Sequence, residues 1–204
     1  HIGVPKTLLR LTDRHNMAVI ETGASHPGEI RELAGIVDPD YGLITNVGRA
    51  HLEGFGSFEG VVKTKGELYD YLRQKEGTQV FIHGDNPYLA NISAGLKLVK
   101  YGEPGHEDYL VEGEALESDT PYLTGRWRKA GEAEWHRVET RLIGSYNIYN
   151  VLAAVCIGTF FGVGAEQINS AIEEYVPKND RSELRVTAHN ELIVDAYNAN
   201  PTSM

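Results

Sequence analysis

The sequence predicts an α/β fold, with a mostly parallel sheet flanked by helices and a small antiparallel meander. Apolar runs typical of strands alternate with helical periodicity through residues 17–101, and such alternation favours a parallel sheet. Period-two segments follow between residues 107 and 142, which indicates strands paired as a meander. The chain has 204 residues and is 41% hydrophobic, which is enough apolar material for a packed core.

Each element of the first half has its own signal in the sequence. Short apolar runs predict buried strands at residues 17–22, 41–47, 80–82 and 97–101. Helical spacing of apolar residues predicts helices over residues 28–37, from an N-cap at Ser57 to about Arg73, and over residues 87–96. The segment 84–87, which reads Gly-Asp-Asn-Pro, predicts a turn after the third strand.

The second half continues with the meander, two helices and a hairpin. Two meander strands are predicted at residues 122–127 and 134–138, with a glycine turn between them. Helices follow over 145–161 and 165–175, and a hairpin over 183–194. We expect residues 1–194 to form one domain, and residues 195–204 to be a linker and the start of a further domain. Both ends of the sequence look like the interior of a longer protein, so we expect a fragment.

Composition excludes several classes of function. The net charge of −10 argues against a broad electrostatic surface for nucleic acid or for an anionic membrane. No segment approaches the ~20 apolar residues that a membrane-spanning helix needs, so we expect no membrane insertion. The single cysteine, Cys156, lies in an apolar run and is expected to be a buried thiol, which suits a reducing cytoplasm.

Three residues near predicted strand ends are candidates for metal chemistry. Glu21 ends the first predicted strand, where its carboxylate could bind a hard cation or remain a solvated strand end. His51 follows the second strand in a glycine-rich loop, where an imidazole binds metal, carries a proton or is structural. Lys65 lies within the next predicted helix. Since Lys63 is only two residues away, at most one of these lysines faces a cleft, and a solvated lysine is the ordinary alternative.

Further candidates suggest contacts to an anion or a nucleotide. His26, in the loop before helix 28–37, could contact an anion at the helix N-terminus or simply pack. Asn147 and Asn150 are three residues apart on one helix face, where carboxamides could contact an adenine edge or cap the helix. Arg181 could bind phosphate and Asp195 could accept from ribose hydroxyls, although either could be a surface ion-pair partner.

Three ordered stretches carry a family resemblance, at residues 21–30, 45–57 and 195–201. Together they resemble the Mur ligases, the ATP-dependent amide-forming enzymes of peptidoglycan synthesis. The likeness is strongest to the branch that adds D-alanyl-D-alanine to UDP-N-acetylmuramoyl-tripeptide. It spans nearly the whole chain and is weakest in the meander.

The resemblance implies a role for each metal candidate. Glu21 matches the acid that holds the magnesium of ATP, and His51 matches a ligand of a second magnesium near the substrate carboxylate. Lys65 matches a lysine that carries a carbamate, which converts a cation into an anionic bridge to that second metal. His51 and Lys65 are therefore the residues implied in catalysis.

The resemblance also implies a nucleotide side and a set of partners. Asn147 and Asn150 match adenine-side asparagines, Arg181 a phosphate-side arginine and Asp195 a ribose carboxylate. The implied enzyme is a cytoplasmic monomer that binds ATP, magnesium, UDP-N-acetylmuramoyl-tripeptide and D-alanyl-D-alanine, and no nucleic acid.

One expected element is absent from the sequence. No Gly-x-x-x-x-Gly-Lys-Ser/Thr phosphate loop occurs, and in this family that loop precedes the region matched here. We therefore expect the fragment alone to be inactive. The alternatives are another ligase of the superfamily, such as folylpolyglutamate synthase, or a catalytically dead binding module that has lost its phosphate loop.

Overall fold

The structure is a computed structural model that describes residues 2–48, 55–177, 183–186 and 189–194. The helices are α1 (Gly3–Leu8), α2 (Glu29–Val37), α3 (Phe58–Arg73), α4 (Pro87–Ile92), α5 (Ile148–Phe160) and α6 (Ala165–Glu174). The strands are β1 (Tyr41–Leu43), β2 (Gln79–His83), β3 (Leu98–Gly102), β4 (Val111–Leu116), β5 (Tyr122–Lys129), β6 (His136–Ile143), β7 (Glu183–Val186) and β8 (Glu191–Val194). A short 3₁₀ turn, Ser145–Asn147, leads into α5.

The strands β1 to β6 form one sheet in chain order, and β7 pairs separately with β8. Strands β2 and β3 run in parallel. Val80 donates its N–H to the Lys97 carbonyl oxygen, and Gly84 donates to that of Tyr101, so donor and acceptor both advance by four residues in the same direction. Strands β3 and β4 are also parallel, whereas β4, β5 and β6 are antiparallel neighbours. This arrangement confirms the predicted α/β class and its meander.

The chain divides into two compact units. The first contains residues 1–80 and 87–98. Its longest helix, α3, starts where expected, because the Ser57 hydroxyl accepts the Gly60 N–H at 3.1 Å and so caps the helix. Helix α3 packs against α2, and its Tyr69 and Leu72 are completely buried.

The second unit contains residues 81–86 and 99–204. Helix α5 lies over β4 and β5, and α6 lies over β6. Trp127 is buried beneath these helices and donates its indole N–H to Asn169 Oδ1 of α6 at 2.8 Å. Cys156 is fully buried as expected, and burial raises the pKa of its thiol to about 12, so the thiol is unreactive.

The strand predicted over residues 17–22 is wrong. Among the described residues no strand includes this segment, and the side chains of Met17 and Val19 are 52% and 88% exposed. A strand requires a hydrogen-bonded neighbour, and an apolar run alone does not supply one.

Other boundaries differ less. The predicted strand 41–47 forms a ladder only over β1, although Ile44 and Val47 beyond it are buried. Helix α4 ends four residues before the expected position, and the Arg73 guanidinium donates to the carbonyl oxygens of Ile92 and Ala94 there. Helix α1 was not predicted at all. No helix within the described ranges is long and apolar enough to cross a membrane.

Candidate functional site

The two neighbouring lysines of α3 have different surroundings. Lys63 is exposed, whereas Lys65 is half-buried and donates from its Nζ to the carbonyl oxygen of Asn46 at 2.5 Å. Burial lowers the pKa of the Lys65 ammonium below its ordinary value, because removal from water penalises the charged form. Lys65 is therefore the more buried of the two lysines, in keeping with the rule that residues two apart do not share a helix face.

Lys65 contacts the segment that leads to His51, since Asn46 lies five residues before it in the sequence. His51 itself lies outside the described residues, as do Arg181 and Asp195. The side chain of Glu21 is exposed to solvent in the segment before α2. In the described part of the chain, no three His, Cys, Asp or Glu side chains are grouped so as to hold a metal ion.

The loop before α2 is fixed by its own helix. The Glu29 carboxylate accepts the backbone N–H groups of Ser25 at 2.7 Å and His26 at 3.1 Å, and these bonds lower the pKa of Glu29. The His26 imidazole is 70% exposed and lies 3.8 Å from the same carboxylate. These amides already bind a carboxylate of the chain, so they are not an open anion site of the kind considered for His26.

Sequence reasoning missed Glu67, a buried carboxylate on α3. One of its oxygens accepts the Gly28 N–H at 2.7 Å and the other accepts the Arg31 N–H at 3.0 Å. Both partners lie at the start of α2, more than 35 residues away in the sequence. No local pattern pointed to Glu67, because both of its hydrogen-bond partners are distant in the sequence.

The asparagines at the start of α5 lie together, as their spacing predicted. Asn150 donates from Nδ2 to Asn147 Oδ1 at 2.9 Å, and Asn147 donates from its own Nδ2 to the Ile143 carbonyl oxygen at 2.8 Å. The Asn147 side chain therefore does not cap the helix. Asn150 is exposed, and its Oδ1 and second N–H make no bond within the described residues. A donor and an acceptor side by side can pair with an adenine edge.

Another cluster that the sequence did not reveal surrounds Asp85, in the turn after β2. Its Oδ1 accepts the Tyr109 hydroxyl at 3.0 Å and lies 3.2 Å from His106 Nε2, and its Oδ2 accepts the Glu103 N–H at 2.8 Å. These bonds hold the loop after β3 to the end of β2. The sequence of segment 84–87 predicts only a turn, because the partners of Asp85 lie about twenty residues away.

A cavity of about 430 Å³ opens beside the start of α5. Tyr146 and Tyr149 line it on one side, and Glu103 and Glu114 contribute carboxylates. The Tyr149 hydroxyl donates to Glu103 at 2.8 Å, and burial raises the pKa of Tyr149 to about 12. Tyr149 in the cavity lining is therefore connected to the cluster around Asp85, because Glu103 bonds to both residues.

Comparison with known families decides the relationship. The Mur ligase middle domain matches residues 1–158 of the 204, well over half of the chain. The chain belongs to the Mur ligase middle-domain family. Lys65, Asn147 and Asn150 all lie within the matched Mur ligase region.

Individual Mur ligases align with the full length of the chain. The UDP-N-acetylmuramoyl-tripeptide–D-alanyl-D-alanine ligases of Bacillus subtilis and Haemophilus influenzae are 32% and 34% identical to it, over 100% of its length. The chain spans 43% of each of these relatives. A crystal structure of MurF from Acinetobacter baumannii is 30% identical, with a TM-score of 0.86 over 99% of this chain and 44% of that one.

Proposed function

We propose that the protein carrying this chain is an ATP-dependent amide ligase that joins D-alanyl-D-alanine to UDP-N-acetylmuramoyl-tripeptide. Relatives with that name align over the whole chain. The observation that carries the proposal is Lys65, an inward-facing lysine whose burial lowers its pKa and whose Nζ lies against the segment leading to His51.

The surroundings of Lys65 favour carbamate formation. A lysine with a lowered pKa is neutral in a larger fraction of molecules, and only the neutral amine attacks carbon dioxide. In that step the Nζ–carbon bond forms, the nitrogen loses a proton, and the side chain becomes an anion. An unmodified ammonium repels a metal ion, whereas the carbamate offers it two oxygens.

The proposed metal ligands are Glu21, His51 and the carbamate of Lys65. Carboxylate and carbamate oxygens are the hard donors that magnesium prefers, and Glu21 is free to reach solvent in the described structure. Bound magnesium would neutralise the negative charge that gathers on phosphate and carboxylate oxygens during transfer. Lys63 faces solvent, so it is not proposed as a metal ligand.

The proposed nucleotide contacts follow the same reasoning. Asn150 offers an acceptor and a donor to the adenine edge, while Asn147 fixes the orientation of Asn150 through their mutual bond. Arg181 and Asp195 are proposed for the phosphates and the ribose on the strength of the family resemblance. They lie outside the described residues.

The proposed reaction has two steps. The terminal carboxylate of the tripeptide attacks the γ-phosphorus of ATP, forming an acyl phosphate and releasing ADP. The amine of D-alanyl-D-alanine then attacks the acyl carbon, the carbon–oxygen bond to phosphate breaks, and the nitrogen loses a proton as the amide forms. The side chains near Lys65 are proposed to orient the reacting carboxylate, and Asn147 and Asn150 are proposed to orient the nucleotide.

Organisation and location complete the proposal. Residues 1–194 are proposed as the central domain and residues 195–204 as the linker to the next one. The protein is proposed to be a cytoplasmic monomer. Its net charge of −10 supports the proposal that it has no nucleic-acid partner.

The test is a substrate-dependence assay on the full-length protein. Phosphate release is expected only when ATP, UDP-N-acetylmuramoyl-tripeptide and D-alanyl-D-alanine are all present, and no release is expected with a folate and glutamate instead. Release that needs no D-alanyl-D-alanine, or that occurs with the folate pair, contradicts the proposed function.

A further inference from the structure

Glu67 is a buried, hydrogen-bonded carboxylate on α3, two residues after Lys65. It is only 6% exposed, and both of its oxygens accept backbone N–H groups of the α2 terminus. Burying a carboxylate is costly unless it is hydrogen-bonded, so its position depends on these two donors. Glu67 is a long side chain that reaches from one helix to the start of another.

The start of α2 has no cap of its own. Its N-cap residue is Gly28, which has φ +92° and carries no side chain to accept the first N–H groups of the helix. Glu67 supplies that acceptor from α3, and its negative charge also suits the positive end of the helix dipole. Glu29 binds the N–H groups of Ser25 and His26, so two carboxylates fix the path of residues 25–31.

Helix α3 therefore ties two loops through one short stretch. Lys65 bonds to Asn46, in the segment leading to His51, and Glu67 bonds to the loop that follows Glu21. Residues two apart on a helix point in different directions, so the two side chains reach different loops. Helix α3 thus sets the separation between the loop that follows Glu21 and the segment that contains Asn46.

We propose that Glu67 is a positioning residue that holds the Glu21 loop at the correct distance from Lys65 for magnesium and nucleotide binding. This inference rests on the proposed function, since Glu21 and Lys65 are proposed ligands. Both Glu67 oxygens are bound to backbone N–H groups, so we assign it no substrate contact and expect its loss to weaken the binding of magnesium and ATP while sparing the KM for D-alanyl-D-alanine. Outer residues that orient metal ligands commonly change metal affinity about 10- to 100-fold.

The experiment uses the full-length protein with the substitutions Glu67→Gln and Glu67→Asp. Glutamine keeps the size but places an N–H₂ group against a backbone N–H, so one bond becomes a repulsion. Aspartate keeps the charge but is one methylene shorter, so an intermediate defect is expected. The control is Asp70→Asn on the same helix, which removes an exposed carboxylate whose one ion pair among the described residues is with Arg73.

Two measurements distinguish positioning from simple stabilisation. In hydrogen exchange of a peptide covering residues 23–32, Glu67→Gln is expected to speed exchange while α3 stays protected, and Asp70→Asn is expected to match the unmodified protein. The magnesium concentration for half-maximal ATP binding is expected to rise about tenfold in Glu67→Gln. If Glu67→Gln does not fold, Glu67→Asp provides both measurements.

The outcomes are separable from those of the proposed function. Unchanged exchange in residues 23–32, or an unchanged magnesium requirement for ATP binding, overturns the role of Glu67. Neither measurement needs turnover. If the unmodified protein shows no D-alanyl-D-alanine-dependent phosphate release, the ligase proposal fails, while exchange and nucleotide binding still decide what Glu67 does.

Discussion

Two asparagine substitutions separate nucleotide binding from folding at the start of α5. Asn150 is exposed and donates one bond, to Asn147 Oδ1. Asn147 both accepts that bond and donates to the Ile143 carbonyl oxygen at the end of β6. Asn150→Ala therefore removes one exposed bond, whereas Asn147→Ala removes two bonds and leaves a carbonyl oxygen without its donor.

The expected magnitudes follow from these bonds. A neutral hydrogen bond contributes about 1 kcal/mol net, so Asn147→Ala is expected to lower the free energy of unfolding by about 2 kcal/mol, and Asn150→Ala by less than about 1 kcal/mol. If Asn150 contacts adenine, loss of a bond worth about 0.5–1.5 kcal/mol weakens ATP binding roughly 2- to 12-fold.

The assay pairs urea denaturation of the 204-residue chain with equilibrium ATP binding to the full-length protein. Asn150→Ala is expected to weaken ATP binding and to leave the denaturation midpoint almost unchanged. Asn147→Ala is expected to lower the midpoint and also to weaken binding, because Asn150 loses its anchor. Wild-type ATP affinity in Asn150→Ala, or equal destabilisation by the two substitutions, refutes this reasoning.

Two further predictions concern stability. In Gly113→Ala the added Cβ would lie 2.6 Å from the backbone oxygen of Arg126, so we expect the free energy of unfolding to fall by about 1–3 kcal/mol. In Gly35→Ala, on α2, the added Cβ meets no atom within 4 Å. This substitution should therefore raise the free energy of unfolding by about 0.5–1 kcal/mol. Urea denaturation measures both, and equal effects would contradict the packing argument. Because the pKa of Lys65 is lower when folded, the unfolded chain binds more protons between that value and 10.5, so this side chain's contribution to stability rises with pH in that window. Lys65→Met is therefore expected to be more stable than the unmodified chain at pH 7. The difference in their free energies of unfolding should shrink as pH rises towards 10.5. A difference that does not change with pH would argue against burial of the charge.

Sequence periodicity predicted the elements whose signals are local. The Ser57 cap and the apolar spacing after it placed α3 at its observed bounds. Period-two alternation placed β5 and β6, which pair as expected. The failure at residues 17–22 has a different origin, since a strand depends on a partner that lies elsewhere in the sequence and the apolar run gives no information about that partner.

In the candidate site, too, local spacing predicted some features, whereas a contact between distant residues was missed. Helical geometry alone showed that Lys63 and Lys65 cannot face the same side, and the three-residue spacing brought Asn147 and Asn150 together. The family resemblance, not spacing, gave these residues their proposed roles. Glu67 escaped notice because its partners are 36 and 39 residues away, and no local pattern reports such a bond.

The proposed carbamate of Lys65 predicts that loss of this side chain can be compensated by an added anion. Phosphate release by the full-length protein is compared in Lys65→Ala and in the matched control Lys63→Ala, with and without added short-chain carboxylic acids. Lys65→Ala is expected to lose nearly all activity and to regain part of it when the acids replace the missing anion, whereas Lys63→Ala is expected to remain active. Activity in Lys65→Ala without added acid would contradict the proposed carbamate.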